Sequence, residues 1–233
     1  MKNSIGIIGG MGPMASQLFY KMVTEHTKAS KDQEHINMII LSDASMPDRT
    51  SAILSGNYSG PHDQLLEDAL LLQNSGCKAI GITCNTAHFF ADMIADKLNI
   101  PIIHMIRETA SQIAANCEVG SIVGVMATDG TIKTELYQKE LNAAGLIPYT
   151  PDEAVQKEVM HQIYDCIKNG KPYDSKSWKI IEEAYRNADC SKVLLACTEL
   201  SVIKADENLE DWFVDPMETL ARRVIEFAGK EYI

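Results

Sequence analysis

What most constrains this chain is its alternation of short, continuously apolar, β-rich runs with longer helix-like stretches. The strand candidates are residues 4–8, 36–41, 79–83, 101–104, 122–125, 193–196 and 213–214. Between them the spacing predicts helices over 14–30, 63–75, 86–98, 106–115, 132–143, 152–168 and 175–186, with glycine or proline at most junctions. Strands that are apolar throughout must be covered on both faces, and helical crossovers do this for a parallel sheet. The expected class is α/β.

A repeat narrows the architecture. Ser4-Ile-Gly-Ile-Ile-Gly-Gly-Met-Gly-Pro13 has a counterpart in Ser121-Ile-Val-Gly-Val-Met-Ala-Thr-Asp-Gly130. Each is a strand, then a small-residue turn, then a helix carrying an aromatic (Phe19 and Tyr20; Tyr137). Later in each half a second pair matches, Ala79-Ile-Gly-Ile-Thr-Cys-Asn-Thr86 with Val193-Leu-Leu-Ala-Cys-Thr198. Order and spacing point to two pseudo-symmetric domains, each a parallel sheet flanked by helices, with a cleft between them. The segment from Trp212 to Ile233 reads as a strand and a helix without a counterpart in the first repeat, returning to pack on the N-terminal domain. The expected division is 1–100 with 210–233, against 101–209.

Composition removes several classes of function. A length of 233 residues suits one larger domain or two small ones. With 45% hydrophobic and 23% charged residues the chain is globular, not disordered. Twenty-one basic against 32 acidic side chains give a net charge of −11, which disfavours nucleic-acid and anionic-membrane partners while leaving room for a local basic pocket. No apolar run approaches the ~20 residues of a membrane span, and the opening residues read as a strand entering a turn, not as a secretion signal. The expectation is a cytoplasmic protein. Its six cysteines are too sparse for a disulfide framework and lack metal-ligand spacing.

Two of those cysteines stand out. Cys84 and Cys197 each sit where an apolar strand meets a helix start, expected at about Asn85 or Thr86 in the first half. Ligands of open α/β sheets bind at the carboxyl ends of strands, where helix N-termini favour anions and lower a thiol pKa from its usual ~8.5. Two thiols facing one cleft could remove a proton from carbon on one face and deliver one on the other, inverting a stereocentre with no cofactor.

With these residues in place, the chain resembles the cofactor-independent aspartate/glutamate racemase superfamily, most closely its aspartate racemase branch. The matching motifs are Gly9-Gly-Met-Gly-Pro13, Asp32-Gln-Glu-His35, Pro47-Asp-Arg-Thr50, Cys84-Asn-Thr-Ala-His88, Cys197-Thr-Glu199 and Asp215-Pro216. The resemblance implies Cys84 and Cys197 as acid/base thiols, Arg49 and Lys168 as cationic contacts to a dicarboxylic amino acid, and Met11 and Gly12 near the ligand. It also implies a homodimer. Helix-start N–H groups at Asn85, Thr86, Thr198 and Glu199 are expected to cradle the α-carboxylate. Glutamate racemases typically carry Cys-Thr-His at the second thiol, where this chain has Cys197-Thr-Glu199, and they lack the Pro-Asp-Arg segment. That favours L- and D-aspartate, with both thiols present for reversible interconversion. Other readings are an isomerase for glutamate or another diacid, a non-catalytic amino-acid-binding protein, and thiol redox chemistry. His88 is expected either to tune Cys84 or to make a structural hydrogen bond. Glu199 would raise the Cys197 thiol pKa if close. Cys77, Cys117, Cys166 and Cys190 are expected to be structural.

Overall fold

The computed structural model describes residues 4–233; residues 1–3 of the opening segment lie outside it. Two all-parallel four-stranded sheets follow one plan. In the first, β1 (Ile5–Gly9), β2 (Met38–Ser42), β3 (Ile80–Ile82) and β4 (Ile102–Ile103) lie in the order β2-β1-β3-β4. In the second, β5 (Ile122–Ala127), β6 (Ile147–Tyr149), β7 (Lys192–Ala196) and β8 (Phe213–Val214) lie in the order β6-β5-β7-β8. Ile7 pairs with Ile40 and Gly81 in the first sheet; Val125 pairs with Leu194 in the second. β1 and β3 are buried along their whole length, as their unbroken apolar sequence requires.

β6 is absent from the sequence expectation, and its residues show why. Ile147-Pro148-Tyr149 has a proline at its centre, and a strand tolerates that only at a sheet edge, which is where β6 lies. Also unforeseen is the short helix α2 (Arg49–Ser55). The Asp48 carboxylate caps it by accepting the Ser51 N–H at 2.7 Å, and Gly56 closes it in the left-handed region.

The carboxyl-terminal segment requires a correction. Its strand β8 joins the second sheet beside β7, and only its helix α11 (Pro216–Phe227) packs on the first half, against Phe19, Val23, Ile5 and Ile7. It also has a counterpart. β4 closes the first sheet beside β3, and the helix that follows, α5 (Met105–Ala114), sends Ile106, Ala110 and Ile113 into the core of the second half. The two halves thus exchange their last helices, and sheet membership runs to Ile103 in the first and to Val214 in the second.

The remaining helices cover the sheets: α1 (Pro13–His26), α3 (Ser59–Asn74), α4 (His88–Ile94), α6 (Asp129–Thr134), α7 (Leu136–Ala143), α8 (Glu153–Met160), α9 (Ser175–Asn187) and α10 (Thr198–Glu207). The helix expected over 132–143 is broken by Glu135, which stands at φ 56°. The helix expected over 152–168 is regular only to Met160. It continues as a π-helical turn over His161–Cys166 and a 3-10 turn over Ile167–Asn169. Such departures recur at functional sites. The carboxyl ends of the two sheets meet: the Thr86 hydroxyl lies 3.0 Å from that of Thr128 and 2.9 Å from that of Thr131, and Lys133 Nζ donates to the Leu54 carbonyl at the end of α2.

Candidate active site

The turn after β1 opens the site. Gly10 has φ +88°, and a Cβ there would meet the Asp43 backbone at 2.4 Å, so only glycine fits between the ends of β1 and β2. Beyond it, the Met11 carbonyl accepts from two cations, Arg49 Nη2 at 3.1 Å and Lys168 Nζ at 3.3 Å. Gly12 also needs its missing side chain, since a Cβ would stand 3.0 Å from Glu199 Oε1. Met11, Gly12, Met46 and Arg49 from the first half and Lys168 and Glu199 from the second line a cavity of about 230 Å³ between the halves.

Arg49 is buried (8% exposed) at the first position of α2. Its guanidinium also donates to the carbonyls of Met46 (3.1 Å) and Pro47 (2.9 Å), while Nε has no partner among the described residues. Burial works against its charge, but the neighbouring Cys84 sulfur and the Asp48 carboxylate raise its pKa above the ordinary value. A rigid planar fork with one free donor suits a carboxylate ligand.

Lys168 reaches the cleft because the chain leaves regular helix ahead of it. It donates to Glu199 Oε1 at 2.5 Å. Burial opposes its charge; Glu199 and Cys197 more than offset this and raise its pKa. Tyr164, four residues earlier, lies under the Lys168 ammonium and bonds Asp48 Oδ2 across the cleft at 3.2 Å. Burial pushes that phenol up to about 12, so it stays a donor.

The two sulfurs have different surroundings. Cys197 precedes α10, and its S–H donates to Glu199 Oε2 at 2.9 Å. Burial pushes this thiol far above its ordinary value, and Glu199 adds to the shift. The lowering expected from a helix start does not occur at Cys197, because burial, with the Glu199 carboxylate adding to it, outweighs the lowering by Lys168. At Cys84 the helix itself is displaced: α4 begins at His88, and residues 85–87 form a tight turn in which His88 N–H bonds the Asn85 carbonyl at 3.0 Å. The positive charge beside Cys84 is that of Arg49.

His88 does not touch the thiol. The Met105 N–H donates to its Nε2 at 3.2 Å, so Nδ1 carries the proton and donates to the Cys84 carbonyl at 2.8 Å. Burial, then the neighbouring His104, lowers its pKa to about 3, and the ring is neutral. Asn85 spends its oxygen on the Tyr137 hydroxyl at 2.6 Å and leaves Nδ2 buried without a partner among the described residues, a donor free for a ligand. Thr86 turns its hydroxyl to Thr128 and Thr131 between the halves. Thr198 is buried and opens α10, where its N–H and that of Glu199 lack intrahelical acceptors.

Cys84, Cys197, Met11, Gly12, Arg49, Lys168 and Glu199 thus come together, with Asn85 beside them; Thr86 joins the halves. Sequence reasoning missed Asp48, Tyr164 and Tyr137. Asp48 and Tyr164 stand inside segments already singled out for Arg49 and Lys168, and the Tyr164 spacing of four from Lys168 was the available signal.

Comparison with known proteins gives the same picture. The pattern of the Asp/Glu/Hydantoin racemase family matches residues 8–224. The broad specificity amino-acid racemase RacX of Bacillus subtilis is 26% identical over 232 residues, covering 95% of this chain and 96% of that protein. Among solved structures, an aspartate racemase of Picrophilus torridus superposes with a TM-score of 0.84 at 29% identity, covering 99% of this chain and 96% of its own. A glutamate racemase of Francisella tularensis in complex with D-glutamate shares the fold at a TM-score of 0.72 and 18% identity, covering 97% of this chain and 81% of its own.

Proposed function

The chain belongs to the Asp/Glu/Hydantoin racemase family, and from that premise we propose that it interconverts L- and D-aspartate by moving the α-proton between Cys84 and Cys197 without a cofactor. It is an amino-acid racemase; the substrate and the thiol chemistry are the proposed part. The observation that carries them is the charge asymmetry around the two sulfurs: a guanidinium against Cys84 and a carboxylate against Cys197.

A two-base inversion needs one sulfur charged and one protonated at the start, since two thiolates facing one carbon repel and titrate as a pair. Cys197, buried and bonded to Glu199, holds its proton and serves as acid. Cys84, beside Arg49, serves as the base that takes the α-proton. For the opposite enantiomer the roles reverse: one turnover leaves the α-proton on Cys84 and Cys197 without its own, the state from which the reverse transfer starts.

A dicarboxylic substrate matches the two cations. Lys168 exchanges Glu199 for a substrate carboxylate, Arg49 offers its free Nε, and Asn85 Nδ2 with the first N–H groups of α10 receives the α-carboxylate. These last donors also stabilise the charge that builds there as the α-proton leaves. We extend the proposal to a homodimer, as the resemblance implies, and to the cytoplasm, as the composition leads one to expect.

The test is incubation with L-aspartate, then L-glutamate, in deuterated buffer without added cofactor, followed by proton NMR and chiral chromatography. Loss of the α-hydrogen signal with D-aspartate appearing is the expected outcome. Exchange with glutamate alone would move the substrate, and saturable binding without exchange from either acid would make the protein a binder.

A further inference from the structure

We infer that Cys166 is a peroxide-reactive thiol, served by His161 and Asp165, whose oxidation weakens substrate binding through Lys168. The π-helical turn makes the site: its wider spacing sets residue 166 over residue 161, where an α-helix would set 165. Cys166 Sγ lies 3.7 Å from His161 Nε2, and His161 Nδ1 lies 3.0 Å from Asp165 Oδ2, with Asp174 Oδ2 3.8 Å from Nε2. A ring that gives its Nδ1 proton to a carboxylate turns the Nε2 lone pair to the thiol. Nucleophile, base and orienting carboxylate are then in line, the arrangement that activates a cysteine.

Among the described residues, none of the other cysteines outside the cleft has its sulfur hydrogen-bonded to a histidine. Cys77 meets the Ser4 hydroxyl at 3.9 Å, and burial pushes the Cys190 thiol up to about 11. Cys166 itself is 5% exposed, while the His161 side chain beside it is 39% exposed.

In the step itself, the sulfur attacks one peroxide oxygen and the O–O bond breaks. The thiol proton passes to His161 Nε2 and on to the departing hydroxide, which leaves as water. The thiol is oxidised by two electrons to a sulfenic acid and the peroxide is reduced. The added oxygen enters the turn that holds Tyr164 and leads into the 3-10 turn of Lys168. The effect on binding rests on the racemase reading above; the thiol chemistry does not.

The experiment is a short hydrogen peroxide pulse on the whole folded protein, stopped with catalase, then dimedone trapping in urea, where every sulfur is reachable, and mass spectrometry of each cysteine. In the wild type Cys166 is expected to label about fivefold or more faster than Cys117, the most exposed of the cysteines outside the cleft. His161→Gln is expected to slow Cys166 about tenfold or more without moving Cys117. Labelling of Cys166 no faster than Cys117 overturns the site with no variant needed, and an unchanged rate in His161→Gln overturns the role of the base. After the pulse, KM for the racemised acid is expected to rise in the wild type and not in Cys166→Ala. Oxidation of the cleft thiols would lower kcat instead, and an equal KM change in both proteins overturns the link to Lys168. Were the untreated protein to racemise neither acid, labelling would still decide the thiol chemistry.

Discussion

The turns that carry Cys84 and Cys197 follow equivalent strands of two sheets with the same strand order, yet they differ in almost every neighbour. Behind Cys84, the residue four further on is His88, which bonds the Cys84 carbonyl and stacks edge-on against His104 at the end of β4, with ring centres 4.7 Å apart. Behind Cys197, the residue four further on is Ser201, which donates to Asp215 at the end of β8 at 2.8 Å. In front of the sulfurs stand Arg49 and Glu199, of opposite charge. The repeat has kept the scaffold, which sets where a thiol stands, and changed the polar neighbours, which set whether it holds a proton. A symmetric fold thereby supplies an asymmetric pair, as the proposed proton transfer across one carbon requires.

Removing either sulfur should have the largest effect. Cys84→Ser and Cys197→Ser are each expected to lower racemisation by about 10²–10⁴-fold, read by chiral chromatography, and near-normal activity in both would remove the two-base scheme. Making the two surroundings alike is next. In Glu199→Gln the carboxylate that raises the Cys197 thiol is gone, so the thiol ionises at lower pH. Its alkylation by iodoacetamide at neutral pH should rise about tenfold, while the alkaline limb of the pH–rate profile moves down in pH.

Arg49→Lys keeps the charge but not the fork held by three carbonyls. KM is expected to rise about tenfold with a smaller change in kcat. The smallest effect belongs to the support behind Cys84. The folded protein keeps His88 neutral down to about pH 3, whereas the unfolded chain takes up that proton near pH 6.5. Stability therefore falls as pH drops through this window, and His104, lowered to about 4 by burial and then Arg107, adds to the slope. Urea unfolding of His88→Gln should show a slope shallower by up to about 1.4 kcal/mol per pH unit.

Much of this was legible in residue order, and what was not has identifiable causes. Continuous apolar runs marked seven strands, but Pro148 hid β6, because at an edge a strand can do without one N–H and so loses the usual signal. A seven-residue helix such as α2 shows no period, although Asp48 and Gly56 bracket it. The turn over His161–Cys166 was invisible because its residues continue an ordinary helical pattern; the extra residue per turn is imposed by packing. Glu199 beside Cys197 could be foreseen from a separation of two. The pairing of Arg49 with Cys84 could not.

By itself the sequence determined the α/β class, the repeat, the two cysteines at strand ends and the family resemblance, because each is a matter of local pattern: apolar run length, turn residues and short motifs. Only the tertiary structure decided which helix covers which sheet, that Arg49 and Lys168 converge on the Met11 carbonyl from positions far apart in the chain, and that burial and then Glu199 push the Cys197 thiol up. Those are questions of distance and burial. Charges act through space over a few ångströms, and chain separation does not record which ones are neighbours.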